Sequence, residues 1–277
     1  MTLNTITTSK TLHVACIQPL AVPGDVPENI RRIEPLMVEA ARRGARLILT
    51  SEAAITGYDL EGVGQRSAIG VDDSLLEKLG ETAHHLGIDL VACLWEKVEG
   101  GEHNSALVLH ADGRRTLQRK RGDSSPGFLA GPRERTLFEV DGIRCAILIC
   151  SDSGIPGIYE ELAGQGVNLI LCPTAGMGRL EWAFQQEELA DPTRRAEYMA
   201  KLEQVCFLKA GLERCLAHGV ALACCNQAGV ANATGFFHSG HSGIIDRTGE
   251  LVAVLPGCMV PGHLRPKLID GIIHGRE

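Results

Sequence analysis

Residues 142–156 read GIRCAILICSDSGIP, a run that is apolar from Ile143 to Ile149 except at Arg144 and ends abruptly in Cys150, Ser151 and Asp152. So little polar alternation is the mark of a strand buried on both faces. Such a strand belongs inside a sheet covered by helices, and sheets of that kind bind their ligands just past the C-terminal ends of the strands. A thiol and a carboxylate stand at that point here.

The same grammar recurs outward from this stretch. ARLILT (45–50) is a second short buried strand, followed by Ser51 and Glu52, and RRTLQR (114–119) runs into Lys120. Further strands are expected at 12–18, Ile88–Trp95, Asn104–His110, Thr116–Arg119, Val167–Leu171, Val220–Cys225, Ser242–Asp246 and Leu251–Leu255. Between them, Pro27–Arg43 carries Ile30, Ile33, Leu36, Met37 and Ala40 on one helical stripe and ends at Gly44. A second helix is expected over Asp73–Leu86, and helical pattern dominates 180–217. Strands interleaved with helices imply α/β layers. No linker, charge block or repeat divides the chain, so one domain is expected over 1–277, with residues 1–10 as a flexible tail.

Composition narrows the function. With 44% hydrophobic and 22% charged residues the chain can bury a large core. A net charge of −7 disfavours nucleic acid, whose phosphates need a basic surface. No apolar run reaches the ~20 residues that span a bilayer. The first residues, MTLNTITTSK, lack the apolar core of a signal peptide, so a cytoplasmic protein with no membrane partner is expected. The ten cysteines mostly sit in strand-like runs and form no CxxC pair, which argues against disulfides and structural zinc. His238 and His241 form a lone HxxH. GHSGI (240–244) misses the GxSxG pattern, and GMGRLEW (176–182) lacks the third glycine of a dinucleotide fingerprint. Neither metal nor cofactor is expected.

Glu52, Lys120 and Cys150, each past a strand end, could converge on one pocket. Singly, each has an ordinary reading: a surface acid, a solvated basic strand end, a core thiol. Their surroundings change the balance. GARLILTSEAAITGY (44–58) resembles the segment around the catalytic glutamate of the nitrilase superfamily, the carbon–nitrogen hydrolases. IQPLAVPGDVPENI (17–30), GIRCAILICSDSGIP, VNLILCPTA (167–175), CCNQAG (224–229) and SGHSGIIDRTGELVA (239–253) resemble its other motifs, in the family's order.

The resemblance implies a four-layer α-β-β-α sandwich and a Glu–Lys–Cys triad acting on small amide, carbamoyl or nitrile compounds. By position, Cys150 is the nucleophile, Glu52 the general base and acid, and Lys120 the cation beside the developing oxyanion. Tyr58, Asp123, Ser151, Thr174 and Ala175 are candidates for substrate contact, and Asn226 and Ser242 for structural hydrogen bonds. Assembly as a homodimer or larger homo-oligomer is also implied. The reaction expected is thiol-dependent hydrolysis of a non-peptide C–N bond through a thioester.

Three departures qualify this expectation. Ser51 replaces the family's usual proline, and Ser151 its usual aromatic residue. KRGDSSPGFLAG (120–131) lacks the second glutamate that many members carry. Ser124 falls near that place; Asp123 substitutes, Glu134 folds back, or the chemistry is altered. CSD in place of a Cys–Trp–Glu favours an amide substrate. The alternatives are a nitrilase forming the acid directly, and a non-catalytic homologue that binds a small ligand.

Overall fold

The computed structural model describes residues 10–122, 125–179, 190–194, 196–197, 207–230, 236–255 and 267–275. Two six-stranded sheets lie face to face. The first has the order β15-β1-β2-β3-β4-β5, from β1 (Thr11–Gln18), β2 (Leu47–Thr50), β3 (Asp89–Val98), β4 (Gly101–Leu109), β5 (Arg115–Arg119) and β15 (Lys267–His274). The second has the order β14-β13-β10-β8-β7-β6, from β6 (Leu137–Val140), β7 (Ile143–Ile147), β8 (Leu169–Thr174), β10 (Ala221–Asn226), β13 (Gly243–Ile245) and β14 (Leu251–Val254). A small third sheet joins β9 (Met177–Arg179), β11 (Ala228–Val230) and β12 (Phe236–Ser239). Helices α1 (Val26–Arg42), α2 (Val63–Arg66), α3 (Ser74–Leu86), α4 (Ile158–Gly164) and α5 (Phe207–His218) complete the described elements.

Strand alternation creates the layers. Cys16, Leu49, Val91 and Val108 of the first sheet face Cys145, Ile147, Leu171 and Ala223 of the second, forming an apolar slab between them. The opposite faces of the first sheet's strands, with Ile17, Ile48, Leu90 and Leu107, pack on Ile33 and Met37 of α1 and Leu76 and Leu79 of α3. Beyond the second sheet, Leu148, Ile170 and Leu222 pack on Ile158 and Leu162 of α4 and Cys215 of α5. The result is the α-β-β-α sandwich. Asp25 caps α1 by accepting from the Glu28 N–H at 3.2 Å, and Asp73 caps α3 by accepting from the Leu75 N–H at 2.9 Å.

Several elements escaped the sequence reading for physical reasons. β15 contains Asp270, a poor strand residue, which here accepts from His13 Nε2 at 2.8 Å and Arg43 Nη1 at 3.0 Å. β6 is a four-residue edge strand, and α4 is too short to show a helical stripe. Of the helical stretch expected over 180–217, α5 is described, whereas residues 180–189, 195 and 198–206 lie outside the described residues, with Trp182 and Phe184 among them. Residues 1–9 of the expected tail lie outside as well. Lys10 is already tied in, its carbonyl accepting from the Gly275 N–H at 2.8 Å. Among the described residues, no helix is long and apolar enough to cross a membrane.

Two outcomes test this packing. Leu49 is fully buried between the sheets, so Leu49→Ala should cost about 2–5 kcal/mol in denaturant unfolding. Burial also pushes the thiols of Cys93 and Cys145 far above their ordinary value, and that of Cys215 up to about 12. Their raised folded values mean that stability is complete below the unfolded thiol value of roughly 8.5 and is lost as pH rises beyond it. The melting temperature should therefore hold steady up to about pH 8 and fall above it.

Candidate active site

The C-terminal ends of β2, β5, β7 and β8 meet at one point. β2 leads into Glu52 through Thr50, whose Oγ1 donates to the Val91 carbonyl at 2.9 Å and accepts from the Cys93 N–H at 3.2 Å. The Glu52 N–H donates to the Thr174 carbonyl at 3.2 Å, which ties the two sheets together at the site. The loop beyond is pinned by Asn29, whose Nδ2 donates to the carbonyls of Val22 and Ile55. Gly57, with φ of 82°, lets this loop pass Pro23, since an added Cβ would stand 2.5 Å from Pro23 Cα.

Glu52 is 1% exposed and Lys120 is 3% exposed. Lys120 Nζ donates to Glu52 Oε1 at 2.6 Å, and Asn104 Nδ2 donates to the same oxygen at 2.8 Å. A buried charge persists only when paired and hydrogen-bonded, and this carboxylate has both supports. Asn104, fully buried in β4, went unrecognised as a site residue. The signal available was an amide at the head of the mostly apolar run NSALVL (104–109), a position that demands a buried partner.

Cys150 opens a short 3-10 helix (Cys150–Gly154) after β7, with φ of 49°. A residue other than glycine in that region is uncommon and marks a backbone held by its surroundings. Burial and then the charge of Glu52 push the Cys150 thiol well above its ordinary value, against the pull of Lys120 and the Ala175 backbone N–H. Cys172 adds a smaller upward push, and Ala175 contributes through its main chain.

Other sequence candidates take different positions. Thr174 is buried, its carbonyl accepting from the N–H groups of Glu52 and Gln227. Ser151 is exposed and donates to the Gly122 carbonyl at 3.2 Å. Tyr58 stacks on Trp95, ring centroids 5.8 Å apart, and its carbonyl accepts from His238 Nε2 at 2.9 Å. Asp123 and Ser124 lie outside the described residues. Glu134 is exposed rather than folded back, because its segment runs along the surface while the neighbouring Arg135 turns inward. Asn226 and Ser242 bind each other and Gln18: the Asn226 N–H donates to Ser242 Oγ at 3.0 Å, which donates to Gln18 Oε1 at 2.9 Å.

Two cavities are lined by residues close in sequence to the cluster, though not by Glu52, Lys120 or Cys150 themselves. One, of about 390 Å³, includes Tyr58, Gln65, Glu102, Ser125 and Pro126, with Glu102 two residues before Asn104 on the same face of β4. The other, of about 200 Å³, lies behind the nucleophile turn against Ser151, Ser153, Tyr159 and Arg214. Among the described residues, no group of three or more His, Cys, Asp or Glu side chains could hold a metal ion.

The carbon-nitrogen hydrolase family model matches residues 13–257. A protein described as a hydrolase in the pqqF 5' region of Pseudomonas protegens is 30% identical over 80% of this chain and 76% of its own length. An aliphatic nitrilase from Sinorhizobium fredii is 29% identical over 64% of this chain and 65% of the relative. A citrullinase from Francisella tularensis is 26% identical over 59% and 61%. Among solved structures, a mutant of the Nesterenkonia AN1 amidase from the nitrilase superfamily matches with a TM-score of 0.73 at 21% identity, covering 95% of this chain and 90% of that one. The family model spans the layers and the cluster alike, and the chain belongs to the carbon-nitrogen hydrolase family, the nitrilase superfamily, as a hydrolase of carbon–nitrogen bonds.

Proposed function

We propose that this protein hydrolyses a small amide or carbamoyl compound through a thioester on Cys150, releasing ammonia or an amine. The observation that carries the reading is the buried Glu52–Lys120 pair, closed at 2.6 Å, whose charges both act on the Cys150 thiol. A thiol that burial keeps protonated at rest needs a base at the moment of attack. Glu52 takes its proton as Cys150 Sγ bonds to the carbonyl carbon. The C–N bond breaks as Glu52 passes that proton to the leaving nitrogen. Water then adds to the thioester, Glu52 accepting its proton; the C–S bond breaks, the acid departs and the sulfur is reprotonated. Lys120 and a backbone N–H at the Cys150 turn stabilise the oxyanion, and losing one such donor typically costs ~10²–10³ in rate.

Tyr58 is suited to the substrate side of the larger cavity, and Ser151, Thr174 and Ala175 to the mouth around the sulfur. The citrullinase and carbamoylputrescine amidase relatives support a carbamoyl or amide substrate. The aliphatic nitrilase relative favours a second reading, direct conversion of a nitrile to its acid. We also infer one domain, since both sheets share one apolar slab, and a cytoplasmic setting, supported by the eight free cysteines among the described residues. Exposed Leu216 on α5 and exposed Leu251 and Val254 on edge strand β14 support a homo-oligomer.

Incubation with a panel of small amides, carbamoyl amino acids and nitriles should leave an acyl adduct on Cys150, read by intact-protein mass spectrometry, with ammonia or amine released. Cys150→Ala should abolish both, and Glu52→Gln should slow turnover roughly 10²–10⁴-fold. Turnover that survives in Cys150→Ala would overturn the proposal. Release of ammonia from a nitrile but not from its amide would select the second reading. Because burial and the charge of Glu52 hold the resting thiol well above its ordinary value, its alkylation by iodoacetamide should still be climbing at pH 9 rather than levelling off below it.

A further inference from the structure

Lys120 must face Cys150 with little freedom, and its ion pair with Glu52 fixes only the tip of a long side chain. Its main chain is held on either side: the Lys120 N–H donates to the Asn104 carbonyl at 2.8 Å, and the Gly131 N–H donates to the Lys120 carbonyl at 2.7 Å. The next N–H along, that of Arg121, donates to both carboxylate oxygens of Asp152, at 3.1 and 3.2 Å. Asp152 also accepts from Arg135 Nη1 at 3.1 Å, and both of these side chains are only 2% exposed.

Asp152 is at the same time part of the nucleophile's turn. It follows Cys150 by two residues, and its N–H donates to the Ile149 carbonyl at 3.0 Å. One buried carboxylate therefore links the turn that presents the sulfur to the backbone that carries the lysine. Lys120 to Gly131 contains no glutamate and Glu134 is exposed, so this link comes from the opposite sheet.

We propose that Asp152 is a positioning residue that sets the placement of Lys120 relative to Cys150, with Arg135 as its buried counter-charge. The inference rests on the reading of Cys150 as nucleophile. Burial raises the Asp152 carboxyl above its ordinary value, while Arg135, the Arg121 N–H and Lys120 pull it down and Glu52 pushes it up. Arg135 thus offsets the cost of a charge that has to stay ionised to grip the main chain.

A bland alternative makes this ion pair a staple that holds the fold and nothing more. The two ideas differ in sign. Removing a negative charge near Cys150 would, by electrostatics alone, favour the thiolate and speed its alkylation. Loss of Lys120's placement removes the cation that favours the thiolate and slows it.

The experiment follows alkylation of the Cys150 peptide by iodoacetamide at about pH 9, mapped by mass spectrometry, in folded protein. Asp152→Asn keeps an acceptor for the Arg121 N–H but loses the charge. The double variant Asp152→Asn with Arg135→Met removes both buried charges, so that no lone guanidinium burdens the fold. Circular dichroism and melting verify folding. Alkylation in both variants should fall about tenfold or more, in Asp152→Asn against the direction of the simple charge effect and in the double variant with no net change of charge. An equal or faster rate in the folded double variant would overturn the inference while leaving the proposed function standing. Turnover of the amide and carbamoyl panel that survives in Cys150→Ala would instead overturn the proposed function and this inference with it.

Discussion

The ion pair between Glu52 and Lys120 is the constraint around which the structure is arranged. Two opposite charges sit at the seam between the sheets, nearly sealed from water, and each would cost several kcal/mol to bury alone. Mutual attraction repays that cost only with close contact and further hydrogen bonds. The Asn104 amide supplies one such bond to the carboxylate, and the Glu52 main chain anchors on Thr174 of the opposite sheet. Strand ends suit this purpose, because a sheet packed on both faces gives its terminal residues little room to move.

The burial that sustains the pair works against the nucleophile. Cys150 is itself only half-buried, yet the desolvation of its surroundings and the charge of Glu52 push its thiol up. The site therefore holds a thiol that resists ionisation beside the Glu52–Lys120 ion pair, an arrangement that on the proposed mechanism acts only when a substrate lets the proton move. A stable thiolate would be attacked by oxidants. The positive φ at Cys150 belongs to the same economy, since the turn that aims the sulfur is held by the packing of β7 and the bonds of Asp152.

Much of this was legible from residues alone. Cys150 and Glu52 each follow an apolar strand, and runs such as CAILI or LILT permit little but a central strand, whereas Lys120 follows the polar run RRTLQR. The helix from Pro27 to Arg43, with Gly44 beyond it, was equally plain, because stripe and stop signals agreed. Asn104 was passed over: a polar residue at the start of an apolar run reads as a strand edge until its partner is known. Nothing in the residues around Arg135 marks it as buried, and only the fold turns it inward to Asp152 while leaving Glu134 exposed. β15 was missed because Asp270 and Gly271 break its pattern, and its stability comes from pairing with β1, more than 250 residues away in sequence.

By itself, the sequence determined which segments become buried strands and helices and which chemical groups stand at their ends, because periodicity, caps and strand termini are local properties of the chain. Only the tertiary structure decided which of those groups meet. The Lys120–Glu52 contact, the Asn104 bond and the Arg121–Asp152 bond each join segments distant in the chain or in different sheets. Their existence depends on how the two sheets register across a shared apolar slab, and that register follows from the summed packing of the whole interface rather than from any one stretch of residues.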